Sequence, residues 1–115
     1  MSLKIKRMID LAASAAKFNN DRRRHFYLGA AAVRADGVIV TSRNTSNRVV
    51  TPYIHAETRV LRKCGFGCTL YVARVKRDGS YGLARPCARC MSAIKTKKVN
   101  KIYYTTEDGI EVINF

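Results

Sequence analysis

The sequence lacks the features of a disordered, membrane-embedded or secreted chain. Its 115 residues include only two prolines and seven glycines, and 47% are hydrophobic, which is not the composition of a disordered protein. No apolar run approaches the roughly 20 residues of a membrane-spanning helix. The N-terminal stretch has no apolar block typical of a secretory signal. We therefore expect a single domain, residues 1–115, that is cytoplasmic and has no membrane partner.

Acidic residues are scarce. Eight Asp and Glu stand against 22 Lys and Arg, which gives a formal net charge of +14. A charge of this size attracts polyanions. It fits either a solvated basic surface or the binding of nucleic acid or phosphorylated nucleotides. Charge alone does not distinguish a polynucleotide from a free nucleotide.

Cysteine occurs at four positions, 64, 68, 87 and 90. In a chain without a secretory signal, cysteines favour metal or thiol chemistry over disulfides. Cys87 and Cys90 lie in the stretch RPCARC, and a spacing of three places two side chains on one face of a helix. Three roles are open to this pair on spacing alone: metal ligands, a redox pair, or small apolar core residues.

Hydrophobic periodicity predicts eight elements in the order αββαβαββ. The predicted helices cover about residues 3–18, 54–64 and 86–98, and the predicted strands cover 26–34, 38–43, 69–75, 101–106 and 110–115. Asp36-Gly37 and residues 107–109 are typical of hairpin turns, whereas strands joined through a helix should lie parallel. We therefore expect an α/β fold in which one mixed five-stranded sheet is covered by three helices.

Two details of these elements can be tested against a structure. The first helix carries an apolar stripe that should face the sheet, formed by Met8, Leu11, Ala12, Ala15 and Phe18. The ten residues 76–85, between a strand and the third helix, are predicted to be a loop.

Chemistry-bearing residues gather at the starts of the second and third helices. His55 and Glu57 lie in the stretch YIHAE, and Cys87 and Cys90 follow Pro86. One imidazole and two thiolates would leave a fourth position of a tetrahedral Zn²⁺ ion for water, as in catalytic zinc sites. Glu57 would then accept a proton. Because residues i and i+2 point to nearly opposite sides of a regular helix, convergence of His55 and Glu57 requires a special first-turn geometry.

HAE at 55–57, followed after 28 residues by PCARC, resembles the zinc-dependent cytidine deaminase superfamily. The resemblance extends to LGAAAVRADGVIVTSRN, to TLYV and to the order of the elements, and so implies the three-layer fold of that superfamily. It implies that His55, Cys87 and Cys90 bind Zn²⁺ and that Glu57 shuttles protons. The implied reaction is hydrolytic: ammonia leaves from C4 of a cytosine or C6 of an adenine.

The resemblance also implies substrate contacts. Asn44 stands where the family often has an asparagine that touches the sugar, although a turn residue is the plain alternative, and Asn47 is a second candidate. The other candidates for substrate contact are Tyr53, Ala56, Arg85 and Pro86. Tyr53 and Tyr81 lie in predicted loops, where an aromatic ring could stack on a base, although packing in the core is the default role of an aromatic residue.

Several alternatives stay open. The charge favours single-stranded DNA or RNA as the substrate, and a free cytidine nucleoside or nucleotide is the alternative. Many free-cytidine deaminases have CAE where this chain has HAE, which weakens a simple transfer of their substrate to this chain. The terminal hairpin at 107–109, in contrast, resembles the free-nucleoside and bacterial-toxin branches. Related deaminases often form oligomers, so a homo-oligomer is a further possibility for this chain.

A hypothesis of another class needs no catalysis. Cys64, Cys68, Cys87 and Cys90 have spacings near those of structural zinc modules, which stabilise small basic nucleic-acid-binding domains. In that case His55 and Glu57 would be incidental. Otherwise Cys64 and Cys68 fill space at the end of the second helix and the start of the next strand.

Overall fold

The computed structural model describes residues 3–17, 26–43, 62–64, 67–76, 78–85 and 88–115. Its elements follow the predicted order. They are α1 Leu3–Lys17, β1 Phe26–Val33, β2 Ile39–Arg43, β3 Thr69–Lys76, β4 Tyr81–Gly82, α2 Ala88–Thr96, β5 Lys101–Thr105 and β6 Ile110–Asn114. Residues 62–64 are also helical, at the end of the predicted second helix. Among the helices described, none is long and apolar enough to cross a membrane.

Five strands form one continuous mixed sheet in the order β2-β1-β3-β5-β6. β1 pairs antiparallel with both β2 and β3, and β5 and β6 form an antiparallel hairpin. β3 and β5 are parallel and are joined through α2, as expected when a helix connects two strands of one sheet. The predicted mixed five-stranded sheet, with hairpins formed by its first and last pairs of strands, is confirmed.

The sheet has a buried cluster on each face. Along β3, Leu70 and Val72 pack in a cluster that includes Ile94 of α2, whereas Tyr71 and Ala73 pack with residues of α1. This division follows from the strand period of two, because successive side chains point to opposite faces. Helices therefore cover both faces, which confirms the predicted three-layer arrangement.

Small residues let α1 pack closely on the sheet. The buried positions of α1 are Met8, Ile9, Ala12, Ala13 and Ala16. The predicted stripe was therefore partly wrong: Leu11 is 37% exposed and Ala15 is only half-buried, while Phe18 lies outside the described residues. The helix turns its alanines to the sheet because they allow its backbone to approach β1, which a leucine would prevent.

Gly29 in β1 marks the closest approach of the strand to α1. A Cβ atom at this position would clash with the backbone oxygen of Ala12 and would lie 2.7 Å from the backbone nitrogen of Ala16. Backbone atoms cannot rotate away as a side chain can, so the whole helix would have to shift. We expect Gly29→Ala to lower the free energy of unfolding by about 3 kcal/mol, measured by urea denaturation.

Gly82 offers a matched control for this prediction. A Cβ atom there would lie 3.2 Å from Cδ of Arg74 and 3.3 Å from Cε of Lys76, both in flexible side chains. We expect Gly82→Ala to change the free energy of unfolding by less than about 1 kcal/mol. Equal losses at the two positions would contradict the close approach of α1 to Gly29.

The stretch 76–85, predicted to be a loop, contains a short sixth strand. β4 pairs antiparallel with the end of β3, so the chain folds back on itself. The turn is closed by the Lys76 N–H, which donates to the Ser80 backbone oxygen at 2.8 Å, and by Gly79 with a φ of 90°. Asp78 accepts hydrogen bonds from the Ser80 hydroxyl and N–H, which hold the pKa of its carboxyl below the ordinary value.

Candidate functional site

The carboxyl ends of three strands meet at one edge of the sheet. β2 and β3 run in the same direction because each is antiparallel to β1, and β5 is parallel to β3. These strands end at Arg43, Lys76 and Thr105. In open α/β sheets, ligands bind in the crevice outside the carboxyl ends of the strands. This side of the molecule, termed the carboxyl edge, is therefore the candidate active site.

Helix α2 begins at the carboxyl edge. The Ala84 N–H donates to the backbone oxygen of Thr105 at 2.9 Å, which fixes the segment before the helix to the end of β5. The first described residue of α2 is Ala88, and Cys90 is the third. A helix start presents unpaired N–H groups and the positive end of the helix dipole, both of which favour a thiolate. The backbone position of Cys90 thus suits a metal ligand.

Most of the predicted site residues lie outside the described residues. They are Asn44, Asn47, Tyr53, His55, Ala56, Glu57, Pro86 and Cys87, and for Cys90 only the backbone is described. β2, after which Asn44 follows in the chain, ends at the carboxyl edge. Across the described segments, no three His, Cys, Asp or Glu side chains are grouped so as to hold a metal ion. The roles assigned from the sequence stay predictions.

Arg85 is a predicted substrate residue whose side chain is described, and it is exposed. It lies beside Tyr104 in β5, whose hydroxyl donates to Oε2 of Glu111 at 2.9 Å. The pKa of Tyr104 is raised, first by removal from water and then by Glu111, while Arg85 opposes the rise. Arg85 therefore places a positive charge at the carboxyl edge, just before α2.

Two further basic side chains come from the end of β3. Nη1 of Arg74 lies 3.5 Å from the Leu83 backbone oxygen, and Nζ of Lys76 forms an exposed ion pair with Oε1 of Glu107 at 2.9 Å. The hydrogen bond from Lys76, followed by its charge, lowers the pKa of Glu107. Together with Arg85, these side chains bring three positive charges to the described part of this edge, whose turns and neighbouring strand also carry carboxylates.

Tyr81 does not have the position expected for a residue that stacks on a base. It lies in β4 instead of a loop, and its half-buried ring packs against the cluster under α1. Its hydroxyl donates to Oδ1 of Asp10 at 3.0 Å. Burial and this hydrogen bond raise the pKa of Tyr81. The predicted loop position of Tyr81 was therefore wrong, and its ring joins β4 to α1, as core packing requires.

Thr105 is a structural residue of the carboxyl edge that sequence reasoning missed. It is fully buried; its hydroxyl donates to the Gly82 backbone oxygen at 2.8 Å and accepts from the Arg74 N–H at 3.0 Å. One side chain thereby joins β3, β4 and β5. A threonine at the end of a predicted strand gives no signal of this role, because its partners lie far away in the sequence.

Cys64 and Cys68 lie at the opposite end of α2 from Cys90. The Gly67 N–H donates to the Lys97 backbone oxygen at 3.2 Å, just beyond the end of the helix, and the two sulfurs are 2.7 Å apart. Six residues of α2 separate Cys90 from Thr96, or roughly 9 Å along the axis. A Zn–S bond is only about 2.3 Å long. This separation weighs against one structural zinc ion held by all four cysteines.

Solved structures share this fold. The cytidine deaminase from Burkholderia pseudomallei is 18% identical with a TM-score of 0.70, covering 99% of this chain and 93% of that one. The cytidine deaminase from Mycobacterium leprae is 20% identical with a TM-score of 0.68, covering 96% and 94%. That from Mycobacterium tuberculosis is 22% identical with a TM-score of 0.65, covering 96% and 90%. No curated protein is similar enough to this chain to count as a relative.

The fold and the placement of α2 define a three-layer α/β protein with its candidate site at the carboxyl edge. Residues 2–106 match the family described as the cytidine and deoxycytidylate deaminase zinc-binding region. The match spans nearly the whole chain, and the chain belongs to this family. The resemblance seen in HAE and PCARC is confirmed, and Zn²⁺ is the cofactor of the family.

Proposed function

We propose that this chain is a zinc-dependent hydrolase that converts cytosine to uracil in single-stranded nucleic acid. The observation that carries the proposal is the family match over residues 2–106. The start of α2 at the carboxyl edge, with Cys90 in its first turn, supports the same site. The net charge of +14 and the exposed Arg85 favour a substrate that carries phosphates.

The donor set fits zinc. His55, Cys87 and Cys90 would supply one imidazole and two thiolates, which are ligands that Zn²⁺ takes in proteins. The start of α2 would stabilise the thiolates, because the helix dipole and unpaired N–H groups favour negative charge there. When bound in such a site, Zn²⁺ lowers the pKa of water toward about 7 and so supplies a nucleophile at neutral pH.

Glu57 would move the protons of the reaction. A carboxylate within hydrogen-bond reach can accept a proton from the attacking water and return it to the base. Attack at C4 of cytosine shifts electron density onto N3, so N3 is the atom that would receive this proton. A second transfer to the amino group would let ammonia leave.

The remaining predicted residues would bind and orient the substrate. Tyr53, Ala56 and Pro86 would line the base pocket and exclude water, and Asn44 and Asn47 would contact the sugar. Arg85 would attract a phosphate at the rim. An unpaired base reaches such a pocket without being extruded from a duplex, which favours single strands.

A free cytidine nucleotide is the second candidate substrate. The β5–β6 hairpin, which is confirmed in the structure, resembles the free-nucleoside branch of the superfamily. In this case Arg85 would hold the phosphate of a single nucleotide, and the rest of the basic surface would have no part in catalysis.

One assay separates the two substrates. The zinc-loaded protein is incubated with cytidine, dCMP, adenosine, single-stranded DNA and RNA, and uracil or ammonia is measured. For an oligonucleotide held by three phosphate contacts, we expect kcat/KM to fall about 20-fold between 50 and 200 mM salt. Turnover of dCMP or cytidine with none on any oligonucleotide would reject the polynucleotide proposal.

Arg85 provides a prediction at the level of one side chain. We expect Arg85→Ala to lower kcat/KM on an oligonucleotide and to reduce the slope of log(kcat/KM) against log[salt] by about 0.7, the loss of one phosphate contact. Arg85→Lys should retain most of the slope because it keeps the charge.

Arg34 is the matched control for Arg85. It is also a partly exposed arginine, but it follows β1 at the opposite edge of the sheet and pairs with Asp36 at 3.1 Å. We expect Arg34→Ala to leave the salt slope unchanged. Equal effects of the two substitutions would show that the charge acts over the whole surface and that Arg85 has no direct contact.

A further inference from the structure

Cys64 and Cys68 form a thiol pair for which the proposed function has no use. Their sulfur atoms lie 2.7 Å apart, and the side chains are only 4% and 0% exposed. A disulfide bond is about 2.05 Å long, so a small movement of the side chains would join the two sulfurs. The remaining two cysteines of the chain, Cys87 and Cys90, are assigned to zinc.

The fold holds this pair in place through the segment after α2. The Asn100 N–H donates to the Cys68 backbone oxygen at 3.0 Å, and the Asn100 side-chain amide donates to the Gly67 oxygen at 3.0 Å. Gly67 adopts a φ of 74°, in the left-handed region that favours glycine. Cys64 is one of the helical residues 62–64, and both cysteines pack in the cluster that contains Ile94. The contact between the sulfurs is therefore built by tertiary structure.

The two thiols are electrostatically unequal. The pKa of Cys64 is lowered, mainly by its hydrogen bond with Cys68 and further by the positive charges of Lys97 and Arg34. Burial acts in the opposite direction but does not outweigh these effects. The pKa of Cys68 is raised by the same hydrogen bond and by burial. Cys64 is thus the thiol of the pair that ionises more readily.

We propose that Cys64 and Cys68 are a redox-active pair that hydrogen peroxide converts to a disulfide within one chain. The Cys64 thiolate attacks one oxygen of the peroxide, the O–O bond breaks, and a sulfenic acid and hydroxide form. Cys68 then gives up its proton and its sulfur attacks Sγ of Cys64, which releases the second oxygen as water. Two thiols and one peroxide become one disulfide and two waters, and a dithiol reductant reverses the reaction by exchange.

Tryptic mapping tests the proposal on the intact protein. Cleavage after Lys63 and Arg74 yields one peptide, CGFGCTLYVAR, that contains both Cys64 and Cys68, whereas Cys87 and Cys90 fall in separate peptides. The folded, zinc-loaded protein is treated with increasing peroxide, quenched, denatured and alkylated. We expect this peptide to resist alkylation and to lose the mass of two hydrogens, and a dithiol added before alkylation should restore both thiols.

The Cys68→Ala variant tests whether the two cysteines react as a pair or are oxidised independently. Without its partner, Cys64 should accumulate sulfinic acid at peroxide doses that give only the disulfide in the unchanged protein. The proposal is overturned if the wild-type peptide stays fully alkylated on both cysteines, or if sulfinic acid forms equally fast with and without Cys68. Neither readout depends on deaminase activity, so failure here leaves the proposed function standing.

Discussion

Replacing Glu57 by glutamine is expected to abolish most turnover while zinc stays bound. Glutamine keeps the size of the side chain but cannot accept a proton, and general acid–base catalysis of this kind contributes about 10²–10⁴-fold to the rate. We expect kcat to fall by a factor in that range, measured as ammonia released under saturating substrate. Zinc content, measured on the same sample, should stay at one ion per chain because Glu57 is not a ligand in the proposed site.

Glu107→Gln is the matched control for this substitution. Glu107 is exposed and forms an ion pair with Lys76 on the turn after β5. The substitution removes the same charge from the chain, and we expect kcat to change by less than about twofold, as is usual for surface substitutions. If Glu57→Gln retained full turnover, the assignment of Glu57 as the proton shuttle would be wrong.

The order of the elements along the chain, the two hairpins and the parallel strands could be predicted because they depend on local patterns. A short apolar run marks β3 as a strand that is buried on both faces, where Leu70 and Val72 face α2 while Tyr71 and Ala73 face α1. Turn residues such as Asp36-Gly37 mark the hairpin between β1 and β2. A helix between two strands makes them parallel, and β3 and β5 obey this rule.

The face of α1 could not be predicted correctly because hydrophobicity was a poor guide there. Leu11 is more apolar than Ala13 or Ala16, yet Leu11 is exposed and both alanines are buried. The decisive factor is Gly29, whose missing side chain allows the helix backbone to approach β1. Such a fit depends on two distant segments together, and the periodicity of one segment does not reveal it.

β4 was missed for the same reason. Two residues are too few to show an alternating pattern, and the pairing with β3 is supported by the Thr105 hydroxyl, which donates to Gly82 from 23 residues away. The motif RPCARC, in contrast, predicted a helix start, which the structure confirms and places at the carboxyl edge. The role of Cys90 as a metal ligand stays a prediction, and motif spacing could not reveal long-range strand pairing.

Removing a zinc ligand is expected to have the second large effect, and it separates the enzyme from a structural zinc module. We expect His55→Ala and Cys90→Ala to weaken zinc binding by about 100-fold or more, since even residues that only support a ligand account for about 10–100-fold. Turnover should be lost with the metal. Zinc content after dialysis against a chelator series measures the effect directly.

Cys64→Ala is the matched control, since it removes a buried cysteine at the far end of α2. Cys64 contacts Cys68, and a backbone hydrogen bond from the adjacent Gly67 to Lys97 holds this pair near the end of α2. Both sulfur atoms are therefore far from the first turn of α2, which contains Cys90. We expect Cys64→Ala to retain zinc and turnover. A structural zinc module that uses all four cysteines predicts the opposite result: Cys64→Ala would lose zinc, and His55→Ala would bind zinc as tightly as the unchanged protein. That result would show that the His55 imidazole is not a zinc ligand, and it would reject the proposed catalytic zinc site.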